Sequence, residues 1–322
     1  MDREKAIMDY QEKIAPLIQD FHHKMGIHLR DHAEELERIV KGAIDGLGEK
    51  MEEQGKEYVS YLYFSMLKTD LLCRDYRFLL HAMNLRWYLD DEAIEVYADM
   101  GDLMQPFDRL WEALEKENYG YMGAVNRYDI QHIMFRELRK VDAVIAHILR
   151  YRFRSWKEKD LFEKVTLSPF WYMKWGEYRD QTEFILYTDQ TPKGQEVWEE
   201  EIKKASYQPE ALVFSYWYQG DYRGTAIQEV DMRFLVFEES KLSDLGFTRC
   251  NLEGARFTDT SLDNCRFEGC NLSGADLSSC TFHDVSFPGS EMTDTLLPSE
   301  SIPFLDLSPE QLQAVLLRRD KG

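Results

Sequence analysis

From Val230 onward, hydrophobic and polar positions alternate along the chain with a period of five residues. Fourteen consecutive positions at this spacing hold Leu, Phe or Met, and two residues before each lies a second set that is small or β-branched from Cys250 onward. The large residues are Met232, Phe237, Leu242, Phe247, Leu252, Phe257, Leu262, Phe267, Leu272, Leu277, Phe282, Phe287, Met292 and Leu297. A period of five matches neither an α-helix, with about 3.6 residues per turn, nor a flat strand, with about two. It predicts a chain that turns a corner every five residues and points one large and one small side chain inward on each side.

The repeat resembles the A-(D/N)-L-x-x motif of the pentapeptide-repeat family. Its clearest copies are Cys250–Gly254, Cys270–Gly274 and Ala275–Ser279. The resemblance implies a short right-handed quadrilateral β-helix with four repeats per coil, so that residues 20 apart stack on each other. Fourteen repeats then give about 3.5 coils, and a spacing of about 4.8 Å between coils makes a rod about 17 Å long.

Stacking predicts which side chains meet in the interior of this rod. Phe247, Phe267 and Phe287 should form one ladder, Leu252 should stack on Leu272, and Cys250 on Cys270. Four of the five cysteines occupy small inward positions, namely Cys250, Cys265, Cys270 and Cys280. We interpret them as small hydrophobic residues that fill a narrow core. A metal or redox site is the alternative, although no histidine shares their column.

The sequence also predicts how the C-terminal end of the rod is closed. Ile302 and Leu307 keep the five-residue register and extend it toward a last partial coil. Ser308-Pro309-Glu310-Gln311 has the pattern of a capping box, which predicts a helix from Pro309 to Arg318. We expect this helix to cover the last coil; the alternative, which the family resemblance implies, is that the C-terminal region forms a homodimer.

The first half of the chain has helical spacing of its apolar residues. One stripe runs through Ile7, Ile14 and Phe21, and another through Leu138 and Ile145. Asn126 before Asp129 predicts a helix start, and Asp90-Asp91 before Ala93-Ile94 predicts another. Residues 1–165 are therefore predicted to form a bundle of five to seven helices.

Residues 166–228 combine predicted strands at 182–187 and 211–218 with a predicted acidic helix at 195–205. Aromatic residues are concentrated here, among them Trp171, Trp175, Trp198, Trp217 and Tyr222. We expect these rings to cap the first coil and attach it to the bundle; a groove for a ligand or peptide is the alternative.

The predicted fold class is therefore multidomain, α plus β-solenoid. It comprises a helical bundle at 1–165, a mixed α/β junction that caps the solenoid at 166–228, a pentapeptide-repeat β-helix at 229–307 and a C-terminal capping helix at 308–322. The length of 322 residues and a hydrophobic content of 44% suffice for more than one core.

Charge and motifs narrow the class of function. The net charge of −20 argues against general binding of nucleic acids or anionic membranes. The charged start of the chain and its short apolar runs predict neither a signal peptide nor a membrane span, so we expect a cytoplasmic protein. No phosphate loop, dinucleotide fingerprint, nucleophile elbow or C-x-x-C zinc pair occurs, so no cofactor is expected.

Two local patterns are candidates for chemistry. His28 and His32 are spaced i, i+4 on a predicted helix, which could place two imidazoles on one metal ion. We favour the interpretation that these histidines are solvated or locally packed, and we therefore expect no metal site. The segment 150–157 interleaves basic and aromatic residues, and we interpret it as a salt-bridged face rather than a nucleic-acid site.

Three functions are compatible with these features. The first is a non-enzymatic protein–protein interaction protein whose solenoid is a rigid surface for an unidentified protein partner. The second, an alternative that the family resemblance implies, is a DNA mimic that modulates DNA gyrase or topoisomerase and gives resistance to a drug or toxin. Residues 229–297 carry 13 acidic and 5 basic side chains, net −8, close to the charge density of DNA, but the rod is short. The third is an enzyme with its site in the helical domain, for which a deep pocket with a shifted pKa would be the evidence.

Overall fold

The computed structural model describes residues 3–154, 156 and 158–318. The chain divides into two compact units, Met1–Leu186 and Tyr187–Gly322. Within the described part of the chain, no helix combines the length and the apolarity that crossing a bilayer demands.

The first unit is an α/β domain. Its helices are α1 (Arg3–Asp31), α2 (Ala33–Gln54), α3 (Lys68–Leu71), α4 (Gln105–Asn118), α5 (Arg127–Phe153) and α6 (Glu158–Leu161). Its strands are β1 (Val59–Met66), β2 (Arg77–Met83), β3 (Ile94–Asp99), β4 (Leu167–Gly176) and β5 (Thr182–Asp189), and the unit boundary falls within β5. The strands form one mixed sheet in the order β3-β2-β1-β4-β5, with β1 antiparallel to β2 and parallel to β4. The prediction of a purely helical bundle over residues 1–165 is therefore wrong.

Two of these strands, β1 and β2, were hidden by their burial. Seven of the eight residues of β1 and six of the seven residues of β2 are buried, so neither strand shows the apolar–polar alternation of a half-exposed strand. The helix start predicted at Asp90-Asp91 is also wrong. Asp90 accepts hydrogen bonds from Lys56 Nζ and from the backbone N–H of Asn84, both at 2.7 Å, and thereby holds the loop that leads into β3.

The other helix signals in this unit are confirmed. Asn126 accepts a hydrogen bond from the backbone N–H of Asp129, and the Asp129 carboxylate accepts one from the backbone N–H of Asn126, which completes a capping box at the start of α5. The apolar stripe of α5, which includes Leu138, Val141 and Ile145, lies in the core of the unit.

The predicted junction at 166–228 does not form one element of structure. Its first part supplies β4 and β5 to the N-terminal sheet, where Trp171 and Trp175 are buried in the core. The predicted strand at 182–187 lies within β5, and the predicted helix at 195–205 is α7 (Gln195–Ala205). Of the predicted strand at 211–218, only Tyr216–Tyr218 is extended, and it already belongs to the solenoid.

The second unit contains the β-solenoid. Its strands are β6 (Tyr216–Tyr218), β7 (Asp221–Arg223), β8 (Ala226–Gln228), β9 (Val236–Glu238), β10 (Lys241–Ser243), β11 (Gly246–Thr248), β12 (Arg256–Thr258), β13 (Ser261–Asp263), β14 (Arg266–Glu268), β15 (Thr281–His283), β16 (Leu296–Pro298) and β17 (Leu316–Arg318). Parallel pairing joins residues 20 apart, for instance Phe247 with Phe267 and Leu242 with Leu262. The coil therefore closes every four repeats, as the resemblance implied.

The solenoid is longer than its clearest repeats indicated. Trp217, Tyr222 and Ile227 pair with Phe237, Leu242 and Phe247, so the inward register starts three repeats before Met232. At the other end, Leu317 pairs with Leu297. The column from Trp217 to Leu317 has six levels, which makes about five coils and a length of about 24 Å at about 4.8 Å per coil.

Most corners of the coil place one residue in the left-handed region of backbone conformation. Positive φ values recur at every fifth position over long stretches, from Gln219 (φ 49°) to Asp294 (φ 56°). Gly254 (φ 66°) shows why some corners need glycine: a Cβ at this position would lie 2.6 Å from the ring of Phe234. The corner residue therefore limits which side chains the repeat accepts.

The interior of the coil is filled as the period predicted. Thirteen of the fourteen large residues are buried, and Phe282 is partly buried against the same core. The rings of Phe247 and Phe267 stack at 4.7 Å and those of Phe267 and Phe287 at 5.2 Å, so the predicted ladder is confirmed. Cys250, Cys265, Cys270 and Cys280 are free thiols buried at the small inward positions.

The C-terminal segment differs from the predicted capping helix. The capping box at Ser308 and Gln311 is confirmed, but the helix that it starts, α8 (Pro309–Ala314), is only six residues long. The chain then forms β17, which pairs in parallel with β16 and continues the solenoid wall. Val315 is extended (φ −80°, ψ 151°), which ends the helix and returns the chain to the five-residue register. Residues 319–322 of the predicted helical segment lie outside the described residues.

Candidate functional site

The two histidines singled out as weak metal ligands make local contacts instead. His32 Nδ1 donates to the backbone carbonyl of His28 at 2.8 Å, and the His28 ring lies 4.2 Å from the His32 ring. His28 Nε2 lies 3.3 Å from the backbone carbonyl of Asp102. Among the described residues, no group of three His, Cys, Asp or Glu side chains is arranged to hold a metal ion.

The basic segment at 150–157 pairs with acidic neighbours. Arg150 Nη2 lies 3.0 Å from Glu183 Oε2, and its Nε donates to the carbonyl of Phe184 at 2.6 Å. Arg152 donates to the Glu37 carboxylate. These contacts agree with the interpretation of a salt-bridged face. Ser155 and Lys157 lie outside the described residues.

A cavity of about 300 Å³ lies in the N-terminal unit, beside α5 and the hairpin between β4 and β5. Its lining includes Arg139 and Asp142 from α5 and Glu177 from the hairpin. The hairpin depends on Gly176, whose φ of 151° brings the chain so close to Gln181 that a Cβ would lie 2.4 Å from the Gln181 carbonyl oxygen. The backbone N–H of Glu177 donates to the same carbonyl at 2.8 Å. This close turn brings the Glu177 side chain to the cavity wall.

Asp142 is a buried carboxylic acid with one hydrogen-bond partner. Its Oδ1 accepts from the indole Nε1 of Trp175 at 2.8 Å, whereas Oδ2 has no partner among the described residues. Burial, together with the nearby Glu177 carboxylate, raises the pKa of Asp142 from its ordinary 3.8 to about 7, although the Trp175 hydrogen bond and Lys68 act in the opposite direction. Near neutral pH, this group exchanges between a hydrogen-bond donor and a charged acceptor.

Glu177 places a second carboxylate on the same cavity. Its side chain is 4% exposed, and its Oε2 accepts from Lys68 Nζ at 3.0 Å. Its Oε1 is buried without a hydrogen-bond partner and lies 3.8 Å from Arg139 Nε. Each of the two carboxylates that line the cavity therefore has one buried oxygen without a hydrogen-bond partner among the described residues.

Sequence reasoning missed this pair, although the sequence carries a signal for one member. Asp142 lies in helical register with Leu138, Ile145 and Leu149, so an acid stands on an otherwise apolar face. Glu177 carries no such signal, because its burial follows from the hairpin turn. Asp142 thus combines a raised pKa with a place in the cavity lining, and the third function, an enzyme, stays a prediction.

The raised pKa of Asp142 predicts a pH dependence of stability. The folded chain holds the proton up to about pH 7, whereas the unfolded chain releases it near pH 3.8, so this group's contribution to stability falls as pH rises through that window. Asp142→Asn keeps an acceptor for Trp175 and does not titrate. We expect the free energy of unfolding of the variant, relative to the natural chain, to rise by about 2–3 kcal/mol between pH 5 and pH 8 in urea titrations. A flat difference for Asp142→Asn would contradict the shift.

Polar side chains of the solenoid form hydrogen bonds inside the coil and ladders on its outer wall. Small polar residues inside it bond to the preceding coil, as when Thr295 Oγ1 donates to the Leu272 carbonyl at 2.8 Å and Ser290 Oγ to the Phe267 carbonyl at 2.9 Å. The outward residues form ladders, including parallel bridges from Asp231 through Asn251 and Asn271 to Glu291. These side chains project from the wall at intervals fixed by the coil.

The C-terminal end of the solenoid is apolar and exposed. Leu312 and Leu317 keep the inward five-residue register but are 47% and 54% exposed, and Leu316 is 40% exposed. Phe304, nearby in the chain, is 83% exposed. We call Phe304, Leu312, Leu316 and Leu317 the end patch.

The comparison with protein-family models assigns the solenoid. Residues 237–291 match the model described as pentapeptide repeats (9 copies). This region belongs to the pentapeptide-repeat family. The matched segment lies inside the coils, and the pentapeptide repeats extend structurally on both sides of it. The N-terminal unit has no family assignment, and a search of curated proteins found no match to the chain.

Two solved structures each match about a third of this chain or less. A pentapeptide-repeat protein, Rfr23, from the cyanobacterium Cyanothece 51142 is 23% identical over 26% of this chain and 56% of its own length, with a TM-score of 0.25. A trypsin-treated form of QnrB1, a plasmid-mediated fluoroquinolone resistance protein, is 15% identical over 33% of this chain and 65% of its own, with a TM-score of 0.14. The matched part of the chain thus spans less than two thirds of either structure.

Proposed function

We propose that the protein is a non-enzymatic interaction protein in which the pentapeptide-repeat solenoid is the recognition module. The observation that carries the proposal is the end patch, four exposed large apolar residues in the C-terminal part of the solenoid. Large apolar residues in the same register are buried or partly buried in the earlier coils, whereas Leu312 and Leu317 are exposed. Apolar side chains grouped at the end of a rigid module are typical of a protein-binding surface.

The first partner that this end fits is a second copy of the chain. The edge strand β17 pairs with β16 on one side, and it carries Leu316 and Leu317. A two-fold axis at this strand would place two β17 strands side by side in antiparallel orientation and would bury both end patches. The same contact would cover the exposed edge of the coil.

Self-association predicts a particle of twice the 38.2 kDa chain mass. Light scattering after gel filtration, between about 1 and 100 μM, should show this dimer, because these concentrations span ordinary dimer affinities. Leu317→Lys should weaken the dimer at least tenfold, because it places a charge in the buried patch. Leu89→Lys is the matched control, since Leu89 is 74% exposed in the N-terminal unit. A natural chain that stays monomeric at the highest concentration, or a Leu317→Lys dimer of unchanged affinity, would contradict this contact.

The DNA-mimic alternative receives little support. QnrB1 is described as a fluoroquinolone resistance protein, but at 15% identity and a TM-score of 0.14 the likeness carries no argument about function. The rod of about 24 Å corresponds to about 7 base pairs at about 3.4 Å each. An end-to-end dimer would double this length.

A further inference from the structure

We propose that the cavity beside α5 and the β4–β5 hairpin binds a small molecule through a primary ammonium group. This inference concerns the N-terminal unit and is independent of the proposed role of the solenoid. Asp142, Glu177, Gln181 and Thr182 all line the cavity and would surround the ammonium group.

Two buried carboxylates of the cavity lining are candidates to bind the ammonium group. Asp142 and Glu177 are each 4% exposed, and each has one oxygen buried without a hydrogen-bond partner among the described residues. A buried acceptor without a partner costs about 1–3 kcal/mol, and more when it is charged. An ammonium group brings three donors and a positive charge, so it can satisfy both oxygens. Gln181 and Thr182 line the same cavity.

The charges around the cavity favour an organic cation over a metal ion. Lys68 Nζ lies 3.0 Å from Glu177 Oε2, and Arg139 Nε lies 3.8 Å from Glu177 Oε1. These cations oppose the binding of a divalent metal ion. In addition, two carboxylates alone provide fewer ligands than the roughly six to eight oxygens that calcium takes. A single ammonium charge is balanced by ionisation of Asp142.

The size of the cavity sets the size of the ligand. At about 300 Å³ it lies at the lower limit of small-molecule sites, which range from about 300 to 1,000 Å³. A short amine fits this volume. Ala143 lies on the cavity wall and is exposed, so a larger side chain at this position would fill the space without disturbing the core.

Binding should depend on pH through Asp142. The groups that face it are Trp175 and Glu177 from β4 and the hairpin, Lys68 from α3, Arg139 from α5 and Glu183 from β5, the last being paired with Arg150. Because the pKa of Asp142 is about 7, an ammonium ligand must displace its proton at pH 6 and meets a carboxylate at pH 8. Affinity should therefore increase about tenfold over this range, while the amine itself stays charged.

Calorimetric titration of the full chain with n-butylamine hydrochloride at pH 8 tests the proposal, with 1-butanol as the uncharged probe of similar size. We expect saturable binding of the amine and none of the alcohol. Asp142→Asn should weaken binding at least tenfold and remove the pH dependence, and Ala143→Phe should abolish binding by occupying the cavity. Glu49→Gln, an exposed carboxylate of the same unit outside the cavity lining, is the control and should bind as the natural chain does.

Three results would overturn the proposal. The first is the absence of saturable heat with the amine at pH 8, which would leave a cavity that holds water only. The second is equal affinity for amine and alcohol, which would indicate an apolar pocket. The third is unchanged amine affinity in both Asp142→Asn and Ala143→Phe while their melting temperatures show folded protein, which would place the amine elsewhere.

Discussion

Phe267→Ala is expected to lower the free energy of unfolding of the solenoid by about 3–5 kcal/mol. Phe267 is fully buried and stacks between Phe247 and Phe287, at centroid distances of 4.7 and 5.2 Å. Its removal leaves a gap at the middle of the ladder, and the adjoining coils cannot close it because hydrogen bonds fix their spacing. On one side, the backbone N–H of Phe267 donates to the carbonyl of Ser286 at 2.9 Å in the following coil. On the other side, Arg266 pairs with Gly246 in the preceding coil.

Hydrogen exchange read by mass spectrometry measures this loss within the solenoid, because it reports the repeat peptides separately from the N-terminal unit. Tyr207→Ala is the matched control, since Tyr207 is 70% exposed in the same unit and lies outside the end patch, and it should change the free energy of unfolding by less than about 0.5 kcal/mol. A loss below about 1 kcal/mol for Phe267→Ala would show that the stacked ladder does not form the core.

The second large effect is expected at the start of the solenoid, where α7 covers the first coil. Trp198 is fully buried, and its ring lies 4.9 Å from Trp217, 5.3 Å from Tyr222 and 5.4 Å from Phe237. Trp198→Ala should cost about 3–5 kcal/mol, because it removes the central ring of this cluster. Its indole Nε1 is buried without a hydrogen-bond partner among the described residues. Trp198→Phe should therefore cost much less, about 1 kcal/mol, because it keeps an aromatic ring and removes an unsatisfied donor.

Exchange of the peptides covering β6 to β9 gives both values. If Trp198→Phe were as costly as Trp198→Ala, the cap would depend on the full size of the indole ring and not only on the presence of an aromatic side chain. If Trp198→Ala had no effect on these peptides, α7 would not serve as the cover of the first coil.

The five-residue period made the solenoid predictable because each repeat contributes the same two inward side chains. The ladder through Phe267 and the burial of the cysteines followed directly from residues 20 apart. The first coil was missed because Trp217 and Tyr222 depart from the Leu, Phe and Met of the later repeats, although the small residues Ser215 and Gly220 precede them at the expected distance. The C-terminal strand was missed because the capping box at Ser308 starts a helix but does not determine its length.

The N-terminal unit was less predictable because burial removes the alternation that identifies strands. β1, Val59–Met66, reads as an apolar run whose period does not distinguish a strand from a helix. The cavity needs Asp142 and Glu177 together, and they are brought together by the parallel pairing of β1 with β4 and by the packing of α5 on β4. Such long-range contacts leave no periodic signal in a single sequence.

The central claim, that the solenoid is the recognition module, is tested most directly by affinity capture from native lysate with three baits. These are the full chain, residues 1–190 and residues 187–322. The first fragment must extend to residue 190, because a cut after Val165 would remove β4 and β5 from the sheet. We expect proteins captured by the full chain to be captured also by residues 187–322 and not by residues 1–190. Leu317→Lys in the full chain should reduce this capture, and Leu89→Lys should not. Capture by 1–190 alone, with the fragment shown to be folded, would contradict it and would make the N-terminal unit the recognition module.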